Sequence, residues 1–93
     1  MKQEKILDKD FMKIAKKIQG KRYRLGRVLG VGDSVLEQIT AKDPGDILEQ
    51  SYQILKKWHS TKGKCATFTA LAKALRDRTV ALKEVVDEFC LVK

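Results

Sequence analysis

Three side chains in this sequence can carry nucleophilic, acid–base or soft-metal chemistry: Cys65, Cys90 and His59, the only thiols and the only imidazole in 93 residues. Three candidate ligands at irregular spacing, with no C-x-x-C pair, do not make a closed tetrahedral zinc shell. A general base must stand beside the proton it takes. His59 follows Trp58 near the end of an apolar-periodic run and has no carboxylate or nucleophile at a spacing that would orient it. Cys65 sits in a lysine-rich corner, but one thiol without a placed base falls short of a protease. Gly26, Gly30 and Gly32 follow no strand, which removes a phosphate loop or a dinucleotide fingerprint. The expectation is a chain that is not an enzyme, with no cofactor and no small-molecule substrate. Two lone thiols without a signal peptide read as reduced, which points to the cytoplasm.

The remaining chemistry is recognition by charge. The chain carries 20 Lys/Arg against 12 Asp/Glu, net +8, and the charge comes in blocks: residues 1–27 are net +7, 28–50 net −4, 51–78 net +6 and 79–93 net −1. Lys16, Lys17, Lys21, Arg22, Arg24 and Arg27 form an expected basic face, and Asp33, Glu37, Asp43, Asp46 and Glu49 an acidic one. A molecule with complementary faces can meet a copy or a relative head to tail, a heterologous contact that need not close. Exposed pairs contribute only about 0–1 kcal/mol each, so they set partner choice and encounter rate more than affinity.

Nucleic-acid binding by a basic helical domain is the competing reading of the same charge. Against it, the helix expected after the glycine break, DSVLEQIT, is acidic and apolar where a recognition helix needs polar side chains that reach bases. Membrane-surface binding would need the apolar face of the basic first helix, which the core also needs.

A bundle has to position these side chains. Ninety-three residues with 43% hydrophobic content and one proline suit one helical domain over 1–93, its core at about 7–90. No apolar run approaches the about 20 residues that span a bilayer, and no signal-peptide core follows Met1, so no membrane insertion is expected. Phe11, Ile14, Ala15 and Ile18 keep helical spacing over about 8–19, and Gly20 follows as a left-handed stop. Leu25 and Leu29 mark a second helix at about 21–29, ended by Gly30. Gly26 inside it costs about 1 kcal/mol against alanine, so either the helix is weak alone or another backbone comes close there.

A capping box of Ser34 and Glu37, or a cap at Asp33 or Gly32, opens a third helix with Val35, Leu36 and Ile39 inward, running to about Ala41. Asp43-Pro44-Gly45-Asp46 is a turn in which Asp46 caps the fourth helix. That helix reaches about Trp58. Its sector of Ile47, Ser51, Ile54 and Trp58, with Leu48, Tyr52 and Leu55 beside it, is wide enough to touch two neighbours, which makes it central. Thr67 caps a fifth helix with Phe68, Leu71, Ala72 and Leu75. Thr79 caps a sixth with Leu82, Val85, Val86 and Phe89.

The ordered set of these signals, from about Leu7 to Phe89, resembles the death domain family. Ile14-Ala15-x-x-Ile18-x-Gly20 and Leu25-Gly26-x-x-Leu29-Gly30 look like its first two helices, and Leu36-x-x-Ile39 with the Asp-Pro turn like its third. The span Glu49-Gln50-Ser51-Tyr52-x-Ile54-Leu55-x-x-Trp58, then Gly63-Lys64-x-Ala66-Thr67-x-x-x-Leu71-x-x-x-Leu75, is similar to its fourth and fifth. Two positions depart from the family: Arg22 stands where a tryptophan is common, and Gly26 where a small alanine is usual. The resemblance implies an all-α, six-helix antiparallel bundle of Greek-key topology. It implies a module that binds other death domains, or its own copies, in receptor and adaptor assemblies of apoptotic or inflammatory NF-kappa-B-type signalling. The chain would act in the cytoplasm, free or as the cytosolic part of a larger receptor or scaffold.

Overall fold

The stripe of Phe11, Ile14, Ala15 and Ile18 coils as spaced: in the computed structural model, which describes residues 8–87, α1 runs Asp8–Ile18 with all four at most 1% exposed. Gly20 is not a left-handed stop. The chain tightens into a 3-10 turn over Gln19–Lys21 and runs directly into α2, Arg22–Val28. The left-handed residue comes at the end of α2 instead. Gly30 has φ 89°, its N–H donates to the Arg27 carbonyl (3.1 Å) and that of Val31 to the Gly26 carbonyl (2.8 Å). This is a Schellman stop, which satisfies the last carbonyls and turns Val31 into the core.

α3, Asp33–Lys42, starts one residue before the expected capping box, so Ser34 already lies inside the first turn and Gly32 is the cap, with no side-chain hydrogen bond. α4, Ile47–Lys62, is capped by Asp46, whose carboxylate accepts from the Glu49 N–H at 3.0 Å. It continues a turn beyond Trp58, because nothing in the sequence breaks it before Gly63 (φ 54°). After a 3-10 turn at Gly63–Cys65, α5 spans Phe68–Leu75 and is capped by Thr67, which accepts from the Ala70 N–H at 3.2 Å.

Thr79 does not cap the last helix. The Asp77 carboxylate accepts both from the Thr79 N–H (2.9 Å) and from its hydroxyl (2.7 Å), and Ala81 takes a left-handed φ of 52° that stops a helix from starting there. α6 therefore begins at Lys83, is described over Lys83–Val85, and Val86 keeps helical angles. All described elements are helical and no strand is present among the described residues.

α4 is the central rod and touches α1, α2 and α3, while α2 also meets α5. Ile54, Leu55 and Trp58 are at most 2% exposed, and the core they occupy continues from Phe11 to Val86. Three expected core residues fall elsewhere. Ile47 is 41% exposed, because at the first position of α4 the inward stripe has run past its neighbours. Ile39 and Leu82 are half-buried at the rim. Phe89 lies outside the described residues. Val31, Ala66, Ala74 and Val80 are buried in addition.

Candidate protein-interaction faces

The basic residues of α2, with Lys21 just before it, do not share one face. Lys21, Arg24 and Arg27 recur every three residues and follow one side of the coil, with Arg24 and Arg27 exposed. Arg24 reaches the Thr79 carbonyl at 3.4 Å, and the Arg27 Nε donates to Asp33 Oδ1 at 3.1 Å. Arg22 turns the other way. Half-buried, it donates to the Gln19 carbonyl (2.7 Å) and to Gln50 Oε1 (3.0 Å), and its guanidinium lies 4.5 Å from the centroid of the Tyr23 ring. Two of its nitrogens donate inside the fold. Lys16 and Lys17 are exposed on the last turn of α1.

Gln50 is the centre of a polar knot that joins three helices. Only 2% exposed, it donates through Nε2 to the Asp43 carbonyl (2.9 Å) and accepts from Arg22 and from the Tyr23 hydroxyl (3.2 Å). The Tyr23 hydroxyl also meets the Thr40 hydroxyl, which bonds the Leu36 carbonyl at 3.0 Å. The knot links α2, α3, the Asp43 turn and α4, and no buried side-chain polar atom among the described residues lacks a partner. The available sequence signal is a glutamine on the apolar side of α4, between Ile47 and Ile54.

The acidic set is divided in the same way. Asp33 and Glu37 are exposed at the start of α3, one turn apart, whereas Asp43, Asp46 and Glu49 lie at the α3–α4 turn, about 15 Å away along ten helical residues. Asp46 is engaged as a cap, and the Glu49 carboxylate accepts from Gln53 Nε2 at 2.8 Å. The expected separation of basic and acidic faces fails at one edge, where Arg27 and Asp33 pair across a groove of about 460 Å³ between α2 and α3. Tyr23, Leu36, Glu37, Thr40 and Ala41 line the rest of that groove. The pair is 64% and 72% exposed at its two side chains, so it contributes on the order of 0–1 kcal/mol and opens readily to a partner's charge.

The other side chains with chemical potential are placed for different work. The His59 ring packs edge-on against Phe11 at 5.2 Å between centroids, joining α4 to α1. Cys65 is an exposed free thiol in the turn before α5. Cys90 lies outside the described residues. Asp77 is held below the usual aspartate range, first by the Thr79 hydroxyl and then by the Thr79 N–H, both of which favour the charged carboxylate.

Among the described residues no three His, Cys, Asp or Glu side chains converge as metal ligands, and no helix is long and apolar enough to cross a membrane. No curated protein matches the chain. The family model of the Death domain matches residues 8–88, which takes in every helix described above. A helical bundle with charge on open helix faces and matched over nearly its whole length leaves one assignment: the chain belongs to the death domain family, a family of homotypic protein-interaction modules.

Proposed function

We propose that this domain docks other death domains through the basic row of α2 and the acidic edge of α3, and so assembles receptor or adaptor complexes of apoptotic or inflammatory NF-kappa-B-type signalling on the cytoplasmic side. The observation that carries the proposal is the open α2–α3 groove, with Arg27 on one wall and Asp33 and Glu37 on the other. An incoming domain of the same family can exchange the weak Arg27–Asp33 pair for intermolecular ones at little cost, and several such exchanges together select the partner. Arg22 is left out of this surface, because its donors hold Gln50 and Gln19.

Reversing Lys21 and Arg24 to glutamate tests the surface without touching the Arg27–Asp33 pair. The expected result is loss of partner capture in pull-down from cytosol, with helical circular dichroism and melting temperature unchanged. A second variant, Arg27→Asp with Asp33→Arg, keeps the intramolecular pair and inverts its field, and it should change which partners bind. Full capture by both variants refutes the surface. Affinity for any DNA that falls steeply with salt, without capture of a death-domain partner, would favour nucleic-acid binding instead.

A further inference from the structure

α3 and α4 bring two rows of side chains to one groove. On α3, Val35, Gln38, Ile39 and Lys42 stand at i, i+3, i+4 and i+7, and on α4, Gln53, Lys56, Lys57 and Ser60 keep the same spacing. With Asp43 they line about 390 Å³. Half-buried Val35 and Ile39 are its apolar lining, and every other side chain there is polar. Three are ammonium groups, drawn from both helices, against the single carboxylate of Asp43.

These cations are not spent inside the fold. Lys42 and Lys57 are exposed, and neither forms an ion pair or a side-chain hydrogen bond among the described residues. The Lys56 ammonium lies 5.8 Å from the centroid of the Phe11 ring. Gln53 donates one amide hydrogen to Glu49 and keeps a second, and Gln38 and Ser60 add neutral donors. Two other grooves lack this set. In the α2–α3 groove Arg27 meets both Asp33 and Glu37, and in the groove beside Val28, Lys62 and Lys73 are joined by no side-chain amide or hydroxyl.

We propose that the α3–α4 groove binds a small, soluble, multiply phosphorylated ligand of the inositol polyphosphate class. Lysine is a compact point charge on a flexible stem, suited to phosphate oxygens, and the groove has no guanidinium fork that would favour a planar carboxylate. Ammonium groups on both walls can each take a different phosphate of one ring, while the amides and the hydroxyl fill the remaining oxygens. A lipid headgroup in a bilayer fits less well, because neither exposed large hydrophobic residue, Val28 or Ile47, lines the groove to insert beside it. A ligand held by both helices binds the folded chain alone and so stabilises it by mass action. The proposal is independent of the α2–α3 docking surface, whose Arg27, Asp33 and Glu37 line a different groove.

The test is calorimetric titration of the whole chain with inositol hexakisphosphate at low salt. The expected result is one equivalent bound and a raised melting temperature. Lys42→Gln with Lys57→Gln should weaken binding by about tenfold or more, whereas Lys13→Gln with Lys16→Gln, which removes the same charge from the exposed side of α1, should weaken it by less than about threefold. Asp43→Asn removes the one opposing carboxylate and should tighten binding by about threefold or more; Glu84→Gln, exposed on α6, should change it less than Asp43→Asn does.

Absence of binding overturns the proposal. So does uptake of several equivalents, or equal weakening by the α1 variant, since either means that the net charge of the chain attracts the anion without a site. Inorganic phosphate binding as tightly as the hexakisphosphate refutes the multivalent ligand. Capture by vesicles containing phosphatidylinositol bisphosphate, with no binding of the soluble compound, refutes the soluble source.

Discussion

Gly26 is where the α2 backbone comes close enough to the rest of the bundle to set its geometry, and replacing it with alanine has two opposed consequences. In a helix interior the methyl group contributes about 1 kcal/mol by restricting the unfolded chain. In this fold that methyl carbon would stand 2.9 Å from Leu36 Cδ2 and 3.1 Å from Ile54 Cγ2, both on side chains with 3% exposure or less. Each must retreat by a few tenths of an ångström into a filled core, and overpacking of that kind costs about 1–3 kcal/mol. Gly26→Ala should therefore be net destabilising by about 0–2 kcal/mol. Gly20→Ala serves as the control. A methyl group added at Gly20 would meet no atom within 4 Å, and the residue has no positive φ, so its alanine should stabilise by about 0.4–1 kcal/mol. Urea unfolding of both variants, with Leu36→Ala in each background, isolates the packing contribution. The destabilisation at Gly26 should shrink when Leu36 is cut back, a coupling of about 0.5 kcal/mol or more in the double-mutant cycle. A Gly26→Ala protein as stable as the Gly20 control, with no coupling to Leu36, would refute the close approach.

Other substitutions probe the core, its end and its last turn. Trp58→Ala empties the site at the centre of the core, 2% exposed, and should lower stability by about 3–5 kcal/mol in denaturant titration; a loss under about 1 kcal/mol would contradict the packing. Ile54→Ala should cost about 2–5 kcal/mol, whereas Ile47→Ala, two turns earlier on the same helix but 41% exposed, should stay within about 0.5 kcal/mol, and equal losses would contradict the exposure of the α4 corner. Asp77 is depressed in the folded state, so its contribution is present above the unfolded aspartate range, near pH ~3.9, and is lost as pH falls through the lower folded value. In an NMR titration the Asp77 carboxyl should have its midpoint below that range and move up in Thr79→Val; an unmoved midpoint would exclude the Thr79 hydroxyl as the main cause.

Most of the helices are legible because each is written as an apolar residue every three or four positions, and the caps Asp46 and Thr67 are local chemistry. The stops are harder to read. Gly20 and Gly30 are alike in sequence, yet only Gly30 takes the left-handed angle, because its neighbour Val31 has a core to enter. Thr79 has the chemistry of a cap, but its N–H and hydroxyl both donate back to the Asp77 carboxylate two residues earlier, and Ala81 leaves the helical region where a first turn would form.

At Gly26 the pattern asks for a close backbone, and the close approach is made by two side chains instead. Charge is the least legible property. Spacing places Lys21, Arg22, Arg24 and Arg27 together, but it does not say that Arg22 turns inward to a buried glutamine or that Arg27 reaches across to Asp33.

By its own pattern, then, this sequence determines that the chain is helical and about where most of the coils run, since those depend on periodicity and nearby residues. Tertiary structure alone decided which charges remain free, that Gln50 ties three helices, and that Val28 and Ile47 face water. Those outcomes depend on what another helix places opposite each side chain, and residues far apart in the chain supply it.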